Sequence, residues 1–176
     1  FEDANVRFVD VWAGGSSCYA LSTTGEVWSW GLNTYGQLGH GDTAGRALAK
    51  RIDYFVANNI QIAKIIPNRP NFYDYGTVLF LTTDGKVYGC GYNGQGNLGN
   101  GTAVNQTVPV RCGSLTNIVN VSLSGLPYTV MAVQSNGDLW VWGWNANGQL
   151  GIGDATDRYT RLLHPSIHNA VKKANA

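Results

Sequence analysis

Trp30-Gly-Leu-Asn-Thr-Tyr-Gly-Gln-Leu-Gly-His-Gly-Asp42 decides the fold, because the chain writes this phrase three times. It returns as Cys90-Gly-Tyr-Asn-Gly-Gln-Gly-Asn-Leu-Gly-Asn-Gly-Thr102 and as Trp142-Gly-Trp-Asn-Ala-Asn-Gly-Gln-Leu-Gly-Ile-Gly-Asp154. A recurring phrase of this length marks one supersecondary unit per copy, stacked into an array. Glycines fall at matching offsets: Gly31, Gly36 and Gly39, then Gly91, Gly96 and Gly99, then Gly143, Gly148 and Gly151. Glycine at fixed offsets marks backbone that turns sharply or packs close to a neighbour. Asn33, Asn93 and Asn145 carry side chains that close turns. Leu38, Leu98 and Leu150 are the only large apolar residues common to the three copies, which predicts that they plug the core.

Upstream of each copy the segments follow one order. An apolar run opens at Phe8, Ile62 and Ile118, at spacings of 54 and 56 residues. A second run starts near Cys18, Val78 and Val130, followed by a turn at Thr24-Gly25, Asp84-Gly85 and Asn136-Gly137. The third run ends on Trp30, Cys90 or Trp142. Asp-Gly and Asn-Gly between alternating runs are hairpin signals, which predicts positive φ at both central residues. Trp28 and Trp30 sit two apart, as do Trp140 and Trp142, so each pair shares one face of its strand. A shorter fourth strand is predicted near 48–51, 108–112 and 160–163. Four short strands per unit is the arithmetic of a propeller blade. The expected fold is therefore all-β, with about three four-stranded antiparallel blades. The repeats lie near 8–61, 62–117 and 118–169, and 170–176 opens a truncated fourth.

The phrase W-G-x-N-x-x-G-Q-L-G-x-G-D, preceded by its hairpin, resembles the regulator of chromosome condensation repeat over essentially the whole chain. The resemblance implies blades of a propeller that normally has seven, here partial. Three departures stand out. Ser17, Thr77 and Thr129 fall near the place in the second strand where the family often carries His. The middle copy has Cys90 for Trp and Asn97 for Gln. Only three full units are present where seven would close a ring. With no initiator Met, the expectation is a single repeat domain over 1–176 that is a piece of a longer polypeptide.

Composition narrows the function. Only 13% of residues are charged, while Gly reaches 23 of 176, which suits a β-repeat protein and not a disordered chain. Formal charge is +1, with 12 basic against 11 acidic residues. A phosphate-gripping domain needs a basic face, so no nucleic-acid partner is expected. No apolar run approaches the roughly 18 residues of a membrane span, and no signal peptide is visible, so membrane insertion is not expected. Three cysteines without ligand spacing read as small buried thiols in a reducing compartment, with a Cys90–Cys112 disulfide as the alternative.

Tests for chemistry return nothing specific. Gly89-Cys-Gly91-Tyr-Asn-Gly94 satisfies G-x-G-x-x-G, yet no helix is predicted to follow it, so it is a by-product of the repeat. His164 and His168 have the spacing of a helical zinc pair but no third ligand nearby in sequence. Gly14-Gly-Ser-Ser-Cys18 has the wrong spacing for a nucleophile elbow. No enzyme, cofactor or metal is expected.

Binding is what remains. Repeat arrays put their variation in loops on one face, which is the usual binding surface. The largest departure from uniformity is 67–75, which lengthens its connection by about four residues over the third unit's counterpart. It supplies Arg69, Phe72, Tyr73 and Tyr75 as candidate partner contacts, since Tyr and Arg are enriched at hot spots. The connection 43–59 adds Tyr54 and Phe55, which pack on the next blade or reach a partner. Trp30, Trp142 and the recurring glycines are assigned structural roles. The expected function is a non-enzymatic protein-interaction scaffold whose partner is a protein, or other blades or copies of the chain. The alternative is a receptor- or glycan-binding adhesin on a microbial or virion surface.

Overall fold

The computed structural model describes residues 6–68, 75–125 and 128–165 of the chain. The first sheet runs β1 (Phe8–Gly14), β2 (Ser17–Ser22), β3 (Val27–Gly31) and β4 (Arg46–Arg51), and a short helix α1 (Asp53–Ala57) follows. The second runs β5 (Ile62–Pro67), β6 (Thr77–Thr82), β7 (Val87–Gly91) and β8 (Gln106–Arg111). The third runs β9 (Ile118–Leu123), β10 (Thr129–Gln134), β11 (Leu139–Gly143) and β12 (Arg158–Leu163). Each sheet is an antiparallel meander in which sequence neighbours pair. The chain is thus three blades of a partial propeller, as the repeat implies.

The hairpin between the second and third strands of each blade differs in one detail from expectation. Gly25, Gly85 and Gly137 take positive φ (+81°, +73° and +88°), but Thr24, Asp84 and Asn136 do not. The Gly25 N–H donates to the Ser22 carbonyl at 3.0 Å and the Ser22 N–H to the Glu26 carbonyl at 2.9 Å. Thr82 with Gly85 and Lys86, and Gln134 with Gly137 and Asp138, repeat this pairing. These are three-residue loops, a type I turn closed by a left-handed glycine bulge, so only the glycine needs positive φ.

The core lies between sheets. One apolar cluster joins Tyr19, Leu21 and Val27 of the first blade to Ile65, Phe80 and Cys90 of the second. The other joins Leu79, Leu81 and Leu98 of the second to Val121, Ala132 and Trp142 of the third. Alternation explains this arrangement: each strand sends successive side chains to opposite faces, and both faces of the middle blade meet another blade. The strands β1, β5 and β9 lie side by side as the inner strands. They line a pocket of about 490 Å³ flanked by Val11, Trp12, Ile65, Ile66 and Val121.

Register sets which loops share a face. Ser17 pairs with Gly31, and Gly31 with Arg46. The connections between first and second strands and between third and fourth strands therefore emerge at one end of every blade. The hairpins of the preceding paragraphs and the blade-to-blade connections emerge at the opposite end.

Candidate functional site

The repeated phrase is a platform whose geometry is the same in all three blades. Gly31, Gly91 and Gly143 have φ of +99°, +97° and +94°, a region that L side chains rarely adopt. A Cβ there would lie 2.3, 2.1 and 2.3 Å from the carbonyl oxygen of Ser16, Gly76 and Tyr128. That same carbonyl accepts the N–H of the next residue, Leu32, Tyr92 or Trp144, at 2.9, 2.8 and 3.3 Å. The hydroxyls of Ser17, Thr77 and Thr129 donate back to the carbonyls of Leu32, Tyr92 and Trp144.

A buried asparagine then clamps each loop. Asn33 Nδ2 donates to the carbonyls of Asp42 and Ala44, while its Oδ1 accepts the Leu38 N–H at 2.9 Å. Asn93 does the same with Thr102, Val104 and Leu98, and Asn145 with Asp154, Thr156 and Leu150. Each amide thus satisfies main-chain groups 5, 9 and 11 residues further along the chain, which is why Leu38, Leu98 and Leu150 are held in the core. The carboxylates of Asp42 and Asp154 close the loop ends. Pairing with Arg46 draws the Asp42 carboxyl below its usual range, and the Thr156 N–H does so for Asp154.

On this platform four tyrosines from three blades converge. Tyr75 stacks on Tyr92 with ring centroids 4.7 Å apart, and Tyr35 of the first blade approaches both, at 5.3 and 5.4 Å. Tyr128 of the third blade lies 5.5 Å from Tyr92. Tyr35, Tyr75 and Tyr92 are half-buried, whereas Tyr128 is buried. Asn68 anchors the adjoining loop, donating to the Tyr75 carbonyl and accepting the Thr77 N–H. Of the sequence candidates in that loop, Tyr75 belongs to this cluster, while Arg69, Phe72 and Tyr73 lie outside the described residues. Tyr35, Tyr92 and Tyr128 were not singled out by the sequence. Their signal was positional: two sit inside the repeated phrase and one immediately before a second strand.

Tyr54 and Phe55 sit at the other end of the blades, on α1, so they do not join Tyr75. Phe55 is buried, edge-on to Phe80 at 4.9 Å, and takes the first of its two expected roles, packing on the next blade. It presents no surface to a partner. Tyr54 is half-buried and borders a cleft of about 430 Å³ with Asn58, Asn59, Gln61, Asp84 and Tyr88. Burial, with Tyr88 beside it, raises the Tyr54 phenol above its ordinary range. Trp30 is half-buried and Trp142 fully buried.

Among the described residues no group of three or more His, Cys, Asp or Glu is placed to hold a metal ion. All three cysteines are free thiols, and burial pushes those of Cys90 and Cys112 far up. Among the described residues no helix is long and apolar enough to cross a membrane.

Comparison with known proteins places this geometry. The profile of the Regulator of chromosome condensation (RCC1) repeat matches residues 24–61, 84–125 and 136–173, and a second profile of that repeat matches 8–37. The ultraviolet-B receptor UVR8 of Arabidopsis thaliana is 34% identical over 153 residues, covering 86% of this chain and 33% of that protein. Human E3 ubiquitin-protein ligase HERC2 is 30% identical over 151 residues, covering 85% of this chain and 3% of the ligase. The chain thus spans about a third of the plant receptor and a small part of the ligase. Among solved structures, Prp20p from Saccharomyces cerevisiae superposes with a TM-score of 0.76 at 22% identity, over 90% of this chain and 38% of that one. Human WBSCR16 gives 0.72 at 24% identity, over 90% and 39%. At these identities the structures share the fold.

Proposed function

The chain belongs to the regulator of chromosome condensation repeat family, and we propose that it is a non-enzymatic module that binds a protein partner. The binding surface in this reading is the loop face that carries Tyr35, Tyr75 and Tyr92. The observation that carries it is the convergence of those rings, from two blades, beside the connection that departs most from the repeat. Half-buried tyrosines supply large, stiff contact area and a hydroxyl at low entropic cost, the make-up of an interface hot spot. The yeast neighbour supports a protein partner in kind, since its structure was described together with its binding to Gsp1p and histones. Arg69, Phe72 and Tyr73 are further candidate partner contacts in this proposal. The reading treats 1–176 as one repeat domain, with the repeats near 8–61, 62–117 and 118–169.

Affinity capture with three variants tests it. Tyr92→Ala and Tyr75→Ala are expected to lose a partner that the native chain retains. Tyr54→Ala, at the opposite end of the blades, is expected to keep it. Retention by Tyr92→Ala and loss by Tyr54→Ala would reverse the assignment of faces.

A second reading rests on the cleft beside α1. Tyr54 and Tyr88 offer ring faces, and Asn58, Asn59 and Asp84 offer groups that suit sugar hydroxyls. A glycan array that shows selective binding, abolished by Tyr54→Ala, would favour this adhesin reading over the first.

A further inference from the structure

Both joints between blades share one polar contact. The Cys90 thiol donates to the Gln37 carbonyl at the first, and the Trp142 indole N–H to the Asn97 carbonyl at the second. The second joint has another that the first lacks. Strand register sets Arg161 of β12 where β8 has Pro109, since Leu163 pairs with Trp140 as Arg111 pairs with Tyr88. From that position the Arg161 guanidinium crosses to the second blade. Its Nη1 donates to the Gly99 carbonyl and its Nη2 to the Ser114 hydroxyl, both at 3.3 Å. A Cβ on Gly113 would collide with the same guanidinium, so glycine at 113 leaves room for it.

A second guanidinium holds the same turn from within its own blade. Arg111 Nη2 donates to the Leu115 carbonyl at 2.8 Å, while its Nε is buried with no acceptor among the described residues. Burial pushes the Cys112 thiol up and the charges of Arg161 and Arg111 oppose it, so both cations lie near one side chain. Ion pairs among the described residues engage Arg46, Arg51, Lys86 and Arg158, but neither Arg111 nor Arg161. The two hairpins that adjoin the connection, through Gly85 to Ile118 and Ser135 to Asn117, carry acids committed elsewhere. Asp84 is held by Lys86, and Asp138 accepts from Asn136. Two half-buried guanidinium groups with spare N–H donors and no carboxylate make a place where added negative charge is stabilised.

Ser114 is where that charge can be added. It is exposed in the turn, and its hydroxyl already accepts from Arg161. Arg111-Cys-Gly-Ser114 puts an arginine three residues ahead of it, and no other serine or threonine of the chain is so placed. Serine kinases select substrates partly by such charge patterns. We propose that Ser114 is a phosphorylation site, whose phosphate is held by Arg161 and Arg111 and so ties the third blade to the second. In the transfer a bond forms between Ser114 Oγ and the γ-phosphorus of a nucleoside triphosphate. The bond from that phosphorus to the β–γ bridging oxygen breaks, the nucleoside diphosphate leaves, and the hydroxyl proton passes to a base of the kinase. The phosphate brings about −1.5 to −2 of charge and three acceptor oxygens. It turns a neutral contact into charge-assisted, forked ones from Arg161 and gives Arg111 an anion to face. The site lies among the blade-to-blade connections, at the end opposite to Tyr35, Tyr75 and Tyr92, so it is independent of the partner-binding reading.

Incubation of the native chain with a nucleoside triphosphate and an arginine-directed serine kinase tests it. Peptide mass spectrometry is expected to find phosphate on Ser114, with incorporation about tenfold slower in Arg111→Gln. The modified chain is expected to melt about 2–4 °C higher at low ionic strength and to lose most of that gain in concentrated salt. In Arg161→Gln the same phosphate is expected to bring no gain. Arg161→Lys, which keeps the charge but not the fork, is expected to retain part of it, and it keeps the comparison open should Arg161→Gln fail to fold. Absence of phosphate from Ser114 would overturn the proposal. So would a modified chain no more stable than the unmodified one, or a gain that neither Arg161 variant diminishes. An equal gain on adding inorganic phosphate to the unmodified chain would overturn it too.

Discussion

The indole N–H of Trp142 lies 2.8 Å from the backbone carbonyl of Asn97, in a different blade and 45 residues earlier in the chain. The ring is fully buried in the second inter-blade cluster, so one side chain supplies both apolar burial and a directional bond. Trp142→Ala is expected to cost about 3–5 kcal/mol of unfolding free energy. Trp142→Phe, which keeps most of the apolar area but orphans the Asn97 carbonyl, is expected to cost about 1–3 kcal/mol. Urea titration measures both, and an unchanged midpoint for the alanine variant would place the ring outside the core.

Gly143 and Gly137 separate two causes of glycine dependence. Their φ values are similar, +94° and +88°, yet a Cβ on Gly143 would sit 2.3 Å from the Tyr128 carbonyl oxygen and one on Gly137 would meet nothing within 4 Å. Gly137→Ala is expected to lose about 1 kcal/mol, the cost of a left-handed alanine. Gly143→Ala is expected to lose at least about 2 kcal/mol more, because main chain must move. Equal shifts in melting temperature would mean that conformation alone, not contact, demands glycine at 143.

The loop clamp gives a third expectation. Asn93 is buried and bonded to main-chain groups of Leu98, Thr102 and Val104. Asn93→Ala leaves the buried Leu98 N–H without its acceptor, for a loss of about 2–4 kcal/mol. Hydrogen exchange on that amide reports it directly. Protection of the Leu98 N–H equal to the native chain's would show that another acceptor takes over.

Thiol reactivity follows from burial. Cys90 and Cys112 are buried and their ionisation is pushed far up by desolvation, while Cys18 is partly exposed. A thiol titration under native conditions should therefore modify one cysteine per chain quickly and the other two only on unfolding. Since the unfolded thiols ionise near pH 8.5 and the folded ones do not, the unfolded state binds fewer protons above that pH. Stability contributed by these groups is thus complete below about pH 8.5 and falls as the pH rises further. A stability profile that is flat from pH 8 to 10 would contradict this.

Much of the architecture was legible because a propeller blade is local. Strand order, the hairpin positions and the seats of Leu38, Leu98 and Leu150 all depend on residues within one repeat. The hairpin φ values were misjudged because Thr24-Gly25 and its counterparts look like two-residue turns, whereas an added bulge residue confines the strain to glycine. The tyrosine cluster was only partly visible. Tyr75 stood out in a long loop, but its stacking on Tyr92 and its approach to Tyr35 arise from the docking of one blade on the next, which no single repeat encodes. Phe55 shows the converse: an aromatic in a variable connection is core because α1 lays it against Phe80.

Cys90 and Trp142 address the same carbonyl position of whichever blade precedes them. Excising the middle sheet with its connections would set Trp142 opposite Gln37 and rebuild a serviceable contact from existing parts. Removing half a sheet would leave two surfaces with no counterpart. The length of such a chain is therefore quantised, free to grow or shrink over generations by whole blades and by nothing smaller.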